Sequence, residues 1–486
     1  MWQALGLCGF FTGSCPKSAL TPTLALFVIH ALQRGAKRDR FSVTPSIDQL
    51  ENRMRIPKKT LGLGLPLLLT AGLQAQENVD ARLSALEAAV ANSEGSNDFR
   101  VYWKDGLHFE TADKSVTIKM GGRLMWDTTW VGEDDDFKAI AGGTVPNSTE
   151  FRRARFYTSG TMGQHVFFKL QVEFAGSSGA KSPVFGDAYI GLKKVPGLQK
   201  LKFGRFKEYM GLEELTSSRF ITFMERSVTS SLLPARQSGV GAEWLSESQR
   251  LLIEAGVFMT TNNNGYAQQD GNGAFTARVA GQPMWESKTN FVHAGASMSY
   301  RNSKMDGFSF RNDIHTNPAL VAVTPADGTL IYGVELAWNN GPMSLQGEYV
   351  GKNITGATGN PDTSLMSYYI QGSYFLTAGD GRGYKQSYAV FSRVKPKSPL
   401  AFGGDNSGMG AWELALRYAS LDTDDGAFAG TSDAIVTSNV AVALNWYWNN
   451  NTMVKLNYIY ANLDPKGTGA NDGTASALGV RFQIDF

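Results

Sequence analysis

Positively charged side chains concentrate in one part of this 486-residue chain. Between Glu150 and Val240 there are fourteen basic and seven acidic residues, a local net charge of +7. The densest group is Arg152, Arg153 and Arg155, flanked by Phe151 and Phe156. A guanidinium group stays charged at every accessible pH, and its planar fork matches two oxygens of an oxyanion. These residue types therefore favour the binding of small anions.

Catalytic chemistry is not indicated. An enzyme needs an activated nucleophile with a base, or a metal site. The histidines after residue 75 are scattered and none has metal-ligand spacing with another; they are His108, His165, His293 and His315. Both cysteines, Cys8 and Cys15, lie in the first 53 residues. We therefore expect no enzyme, no metal and no cofactor.

The elements that carry the charges show a strict alternation of apolar and polar residues. In the last segment, residues 478, 480, 482, 484 and 486 are apolar, whereas Arg481, Gln483 and Asp485 lie between them. Such a strand needs lipid on one face and water on the other, and it ends on an aromatic residue, Phe486. This pattern indicates the closing strand of an outer-membrane β-barrel.

The same period of two recurs in runs of about ten residues, the length of a tilted membrane strand. Such runs are Val116–Trp130, Val166–Phe174, Val292–Tyr300, Tyr332–Trp338, Trp412–Tyr418, Val440–Trp448 and Val454–Tyr460. Turn formers such as Asn339–Pro342 separate them. We predict an all-β chain, a transmembrane antiparallel β-barrel over 99–486 in contact with outer-membrane lipid. A soluble β-sandwich binding protein, which shows similar alternation, is an alternative.

The alternation also places the basic residues. Ala154 and Phe156 continue an apolar face, so Arg153 and Arg155 should point into the lumen, with Arg152 near the rim. A different interpretation is that these arginines pair with acids across the pore or hold a loop down. The sequence is compatible with both interpretations.

One long stretch near 208–241 lacks sustained alternation. Its apolar content is too high for a freely solvated loop, so we expect it to fold into the barrel as a constriction loop. Lys207, Arg219, Arg226 and Arg236 would then lie along the narrowed channel.

The amino end carries a separate signal. Residues 54–75 have the charged, apolar and cleavage regions of a signal peptide. We expect 1–53 to be a disordered upstream extension, the alternative being a genuine longer leader. Without 1–75 the chain has 37 basic and 41 acidic residues, a net charge of −4, and we expect no nucleic-acid partner.

Residues 76–98 would follow as a short periplasmic helix and linker. Val79, Leu83, Leu86 and Val90 have 4-3-4 spacing. Fewer than two heptads are present, so a coiled coil and a lone amphipathic helix are equally compatible with it.

Several motifs, taken in order, resemble the phosphate-selective porin O and P family. They include Tyr102–Leu107, Gly121–Arg123, Phe151–Arg155, Phe203–Lys207, Thr216–Arg219, Phe223–Arg226, Pro234–Arg236, Tyr374–Thr377, Gly410–Leu414, Asn445–Tyr447 and Arg481–Phe486. The resemblance implies a homotrimer of barrels with about 16 strands, each with its own pore and a ladder of arginines. Arg152 and Arg153 match the family's paired arginines, and Arg219 matches a basic residue of its constriction loop.

The expected function is passive uptake of small inorganic anions such as phosphate or polyphosphate through a water-filled outer-membrane channel. The anion pathway would comprise Arg152, Arg153, Arg155, Lys207, Arg219, Arg226 and Arg236. Glu213, Glu214 and Glu225 lie in the same loop region and favour the alternative of a general, weakly selective porin. We expect the terminal strand ending at Phe486 to be read by the barrel-assembly machinery.

Overall fold

The computed structural model describes residues 84, 99–175, 183–267, 273–403, 407–467 and 469–486. The predicted upstream extension (1–53), signal peptide (54–75) and helix with linker (76–98) lie outside these residues, apart from Ser84, which is helical. Among the residues described, no helix is both long enough and apolar enough to cross a membrane.

Strands dominate the described chain. In order they are β1 (Phe99–Trp103), β2 (Leu107–Thr111), β3 (Val116–Glu133), β4 (Ser148–Met162), β5 (Val166–Glu173), β6 (Val184–Val195), β7 (Leu198–Lys207), β8 (Arg236–Leu245), β9 (Leu251–Met259), β10 (Gly273–Ser287), β11 (Asn290–Arg301), β12 (Met305–Phe310), β13 (Leu320–Asn340), β14 (Met343–Gly356), β15 (Thr363–Phe375), β16 (Gly383–Lys385), β17 (Val390–Ser392), β18 (Ala411–Asp422), β19 (Ile435–Tyr447), β20 (Thr452–Pro465) and β21 (Gly473–Asp485). The described helices are α1 (Asp135–Ala141), α2 (Leu212–Leu215) and two 3₁₀ turns, Val228–Leu232 and Gln386–Tyr388.

Sixteen of these strands form one closed antiparallel barrel, which confirms the predicted fold. Each barrel strand pairs with the next along the chain, and β21 returns to pair with β3 from Ala475↔Glu133 to Asp485↔Arg123. The backbone of Phe486 completes the seam, since Gly122 N donates to its carbonyl at 2.7 Å. Closure leaves no free strand edge in the wall, which a lipid environment requires.

Side chains alternate across this wall as the sequence predicts. On β21, Leu478, Phe482 and Ile484 are exposed on the outside, whereas Arg481 and Gln483 are buried inside. An apolar outer surface with a polar interior is the reverse of a soluble sandwich, whose core is apolar. The alternative of a soluble sandwich is therefore wrong.

The two ends of the barrel differ in their connections. Turns such as 163–165, 196–197 and 341–342 are short at one end, which the rule for outer-membrane barrels identifies as periplasmic. The connection 376–410, which contains β16 and β17, is the long exception at that end. We call it the periplasmic segment. Hairpin β1–β2 extends the wall at this end, because β2 pairs with the first residues of β3.

Candidate functional site: a basic cavity inside the barrel

The connection 208–235 between β7 and β8 turns into the lumen, and we call it the lumen loop. It ends at residue 235, six residues before the end at 241 expected from the sequence, because β8 begins at Arg236. Phe223 is 1% exposed and packs with alanines of β18, β19 and β21. Burial of such side chains against the inner wall explains how a loop this apolar avoids solvent.

Polar side chains of the wall hold the loop backbone. Lys455 on β20 donates from Nζ to the carbonyls of Ile221, Thr222 and Phe223, the last two at 3.2 and 3.1 Å. Asn457, one inward position further along β20, accepts from Met224 N at 2.7 Å. These bonds satisfy backbone groups that would otherwise be buried without partners.

Neighbouring strands of the wall hold the start of α2. Leu212 N and Glu213 N donate to the two carboxylate oxygens of Glu348 on β14, at 2.8 and 2.7 Å. Tyr369 on β15 donates its hydroxyl hydrogen to the same carboxylate at 2.6 Å. The lumen loop, which leaves the wall between β7 and β8, is thus tied to the part of the wall formed by β14, β15 and β20.

Two further connections enter the lumen. In the β12–β13 connection, Asp313 lies 2.9 Å from Arg417 of the wall, and His315 lies 2.5 Å from Glu150. The periplasmic segment enters from the other end, where Arg382 donates to the carbonyl of Phe220 at 3.2 Å. The loop and these segments occupy part of the interior, and one remaining space lies along the wall of β3–β9.

That remaining space is a cavity of about 570 Å³, which we call the basic cavity. Its lining contains eleven basic residues: Lys119, Arg123, Arg153, Arg155, Lys169, Lys202, Lys207, Arg219, Arg226, Arg236 and Lys385. Only three acidic residues line it, Asp187, Glu243 and Glu254. A narrow, partly desolvated space with this excess of positive charge attracts anions.

Six of the seven residues predicted from the sequence line this cavity; they are Arg153, Arg155, Lys207, Arg219, Arg226 and Arg236. The seventh, Arg152, lines a second cavity of about 240 Å³ toward the extracellular end. Arg226 lines both cavities and so lies where the two meet.

The rim position expected for Arg152 is wrong. The β3–β4 register shifts between Met125 and Trp126, and Arg152 is the extra residue of this bulge. Its guanidinium is therefore turned into the lumen, where it donates to both oxygens of Glu225 at 2.8 and 2.7 Å. A bulge re-aims a side chain in this way because it adds one residue to one strand only.

Most of the predicted cations have an acidic or carbonyl partner. Arg236 lies 2.6 Å from Asp187, Arg155 pairs with Glu173, and Lys207 lies 2.9 Å from Glu214. Arg226 donates to three carbonyls of the lumen loop, those of Glu213, Glu214 and Thr216. Arg219 is held more loosely, at 3.8 Å from Asp485.

Arg123 was not among the predicted site residues although the alternation of β3 placed it on the water face. It lies directly opposite Arg155 in the β3–β4 register, a like-charge pair that costs stability unless an anion or an acid offsets it. Its Nη1 donates to Ser218 at 2.7 Å, and its buried Nε has no partner among the described residues. The Nε–H group of Arg123 therefore lies among positively charged side chains and can donate a hydrogen bond to an anion.

Glu214 lines the second cavity and pairs with Lys207 and Arg226, which line the basic cavity. Burial opposes its ionisation, but the positive charges of Arg226 and Lys207 outweigh this effect and lower its pKa to about 2. The carboxylate therefore stays charged and cancels part of the positive charge at neutral pH.

Neutralising this carboxylate should raise anion preference. At pH 7, Glu214→Gln removes the carboxylate that neutralises the positive charges of Lys207 and Arg226. Because the folded-state pKa is lowered to about 2, the interaction is present above the ordinary value of 4.5 and is lost as the pH falls through about 2. The difference in reversal potential between wild type and variant should stay constant from pH 8 to about 4 and shrink toward pH 2. A difference that vanishes near pH 4.5 would contradict this.

The paired arginines of β4 give a second prediction. Arg153 and Arg155 share Glu173, the former at 3.6 Å, so Ala at both positions removes two positive charges and leaves one acid unpaired. Anion preference should fall by roughly a factor of two at low salt and less at high salt, because ions screen exposed charge. The control is Ala at Lys193 and Lys194, which lie outside the basic cavity. Equal reversal potentials for the wild type and the Arg variant would contradict the prediction.

Comparison with known proteins agrees with this architecture. The sequence profile of the family described as phosphate-selective porin O and P matches residues 118–486. Porin O of Pseudomonas aeruginosa is 28% identical over 439 residues, covering 82% of this chain and 95% of that protein. An uncharacterised protein of Caulobacter vibrioides is 29% identical over 407 residues, covering 79% of this chain and 77% of its own.

Among solved structures, the outer membrane channel DcaP of Acinetobacter baumannii superposes with a TM-score of 0.50 at 12% identity. The match covers 78% of this chain and 99% of that one. At this identity the likeness concerns the fold alone.

Proposed function

This chain belongs to the phosphate-selective porin O and P family, and we propose that it conducts small anions of the phosphate class through the lumen of its barrel. It is an outer-membrane porin. Uptake through such a pore is passive and follows the concentration gradient of the solute.

One observation carries the proposal, the excess of eleven basic over three acidic residues around the basic cavity. Arginines dominate where the path passes the lumen loop, and a fixed guanidinium can replace water around an oxyanion. Arg123 and Arg219 are suited to this because their links to acids are absent and weak, respectively, among the described residues.

A general, weakly selective porin is the second candidate. It is favoured by the acids of the extracellular cavity, Glu214, Glu225 and Asp313, which line the same space as Arg152 and Arg311. An anion that enters from outside would meet balanced charges there before it reaches the basic cavity.

Titration of the chloride current with phosphate distinguishes the two candidates. The reconstituted protein in a planar bilayer should carry a chloride current that falls as phosphate is added at about millimolar concentration, because a bound oxyanion blocks a narrow pore. A current that does not respond to phosphate would support the general porin instead.

We also propose that the protein assembles as a homotrimer and is inserted by the barrel-assembly machinery through its terminal strand. Family membership supports the trimer, and the alternation of β21 ending at Phe486 supports recognition of that strand. Detergent extracts run on a gel without boiling should show a band near three times the monomer mass.

A further inference from the structure

One wall of the basic cavity is aromatic. Four consecutive strands, β4 to β7, each contribute at least one aromatic residue to its lining, among them Tyr157, Phe167, Tyr189 and Phe206. The periplasmic segment adds Tyr388, which is 39% exposed. Binding of a bare inorganic anion requires the cations of the cavity but no row of rings.

Two of these rings lie over glycines of neighbouring strands. A side chain on Gly191 would collide with the ring of Phe167, which therefore lies over the neighbouring strand β6. Tyr157 lies in the same manner over Gly121. Phe167 and Tyr189 are half-buried and meet edge to face at 5.9 Å, so each keeps accessible ring surface.

Cations are interleaved with these rings. Lys169 Nζ lies 5.7 Å from the ring centre of Tyr157, and Lys202 Nζ lies 5.8 Å from that of Tyr189. The opposed pair Arg123 and Arg155 lines the same cavity. The cavity therefore presents an apolar, flat surface and oxyanion donors together, within a volume typical of sites for organic ligands.

We propose that the basic cavity selects organic anions in which an oxyanion is carried on an aromatic ring, of the class of aryl phosphate monoesters. The ring would stack on Phe167 and Tyr189, and the oxyanion would be bound by Lys169 and Lys202, whose Nζ atoms lie 5.7 and 5.8 Å from neighbouring ring centres. This inference rests on the proposed anion channel and specifies its substrate class. The competing explanation is that the rings only support the lysines, as Phe206 does for Lys202 at 5.4 Å.

A matched pair of blockers tests the role of the rings. Phenyl phosphate and cyclohexyl phosphate have the same charge and similar size, but only the first has an aromatic face. Phenyl phosphate should halve the chloride current at about a three- to tenfold lower concentration, because aromatic pairs gain affinity beyond the area that they bury. Equal potency of the two esters would overturn the inference while leaving anion conduction intact. If neither ester nor phosphate reduces the current, the proposed phosphate-class function fails, and this inference falls with it.

Substitutions of the rings test whether Phe167 and Tyr189 cause the preference for phenyl phosphate. In Phe167→Leu combined with Tyr189→Leu, the preference for the phenyl ester should fall to about one, with the potency of cyclohexyl phosphate changed less than about twofold. The control is Phe428→Leu, a buried phenylalanine of an extracellular connection outside the basic cavity, which should keep the preference. A preference that persists in the double variant would overturn the assignment to these two rings.

Discussion

Replacing Arg219 with Glu should abolish block of the chloride current by phosphate while the barrel stays folded. Arg219 lines the basic cavity from the lumen loop, and its link to an acid is the weak one to Asp485 at 3.8 Å. A charged hydrogen bond is worth roughly 1.5–3 kcal/mol, and the variant also adds repulsion. The half-inhibitory phosphate concentration should therefore rise by at least about 30-fold.

Two controls accompany this measurement. Arg100→Glu makes the same change of charge on an exposed residue of β1, outside the cavity, and should leave block unchanged. Heat-modifiable migration on a gel should match wild type for both variants, because a loop residue contributes little to barrel stability. Unaltered phosphate block in Arg219→Glu would show that this residue lies outside the anion path.

The second large effect concerns the anchoring of the lumen loop. Lys455 is buried and donates to the carbonyls of Ile221, Thr222 and Phe223. Lys455→Met removes these bonds and leaves the buried carbonyls of Ile221 and Phe223 without their donor, at a cost of about 1–3 kcal/mol each, whereas the carbonyl of Thr222 still accepts from Asn445 at 2.9 Å. The loop should leave the wall, and the single-channel conductance should rise about twofold or more with weaker phosphate block.

Lys466→Met serves as the matched control, since Lys466 follows the end of the same strand and its side chain pairs with the nearby Asp464. Its conductance should equal that of wild type. If Lys455→Met also conducts as wild type does, the remaining contacts, such as Met224 N to Asn457, suffice to hold the loop.

The barrel was predictable from the sequence because its main signal is local. The alternation along β21 can be read directly from its sequence. With lipid outside the barrel and water inside, its apolar face must face the lipid and its polar face the lumen. The inward folding of the lumen loop was also predictable from a local feature, because the loop is too apolar to be exposed to solvent. The end of the loop was predicted too late in the chain, because Arg236 to Val240 alternate only weakly although they pair with β7.

The details of the site depended on contacts between distant residues. The bulge that turns Arg152 inward appears only when β3 and β4 are paired, and the same pairing sets Arg123 against Arg155. Likewise, Lys455 lies more than 200 positions from the carbonyls that it binds. The entry of the periplasmic segment into the lumen through Arg382 had no signal in the alternation.

Charge counts along the sequence also overstated the free positive charge. Glu173, Asp187 and Glu225 each accept from arginines inside the barrel. Both interpretations of the arginines therefore hold for different residues: Arg152 and Arg236 are paired with acids, whereas Arg123 and Arg219 are the more available donors.

The reversal potential of the reconstituted channel in a potassium chloride gradient tests the central claim most directly. The basic cavity is lined by eleven basic and three acidic residues. At low salt this lining predicts a reversal potential close to the Nernst potential of chloride. Screening should move it toward zero as the salt concentration rises toward about 1 M. A potential of the opposite sign, or one near zero at low salt, would contradict the assignment of the basic cavity as an anion path.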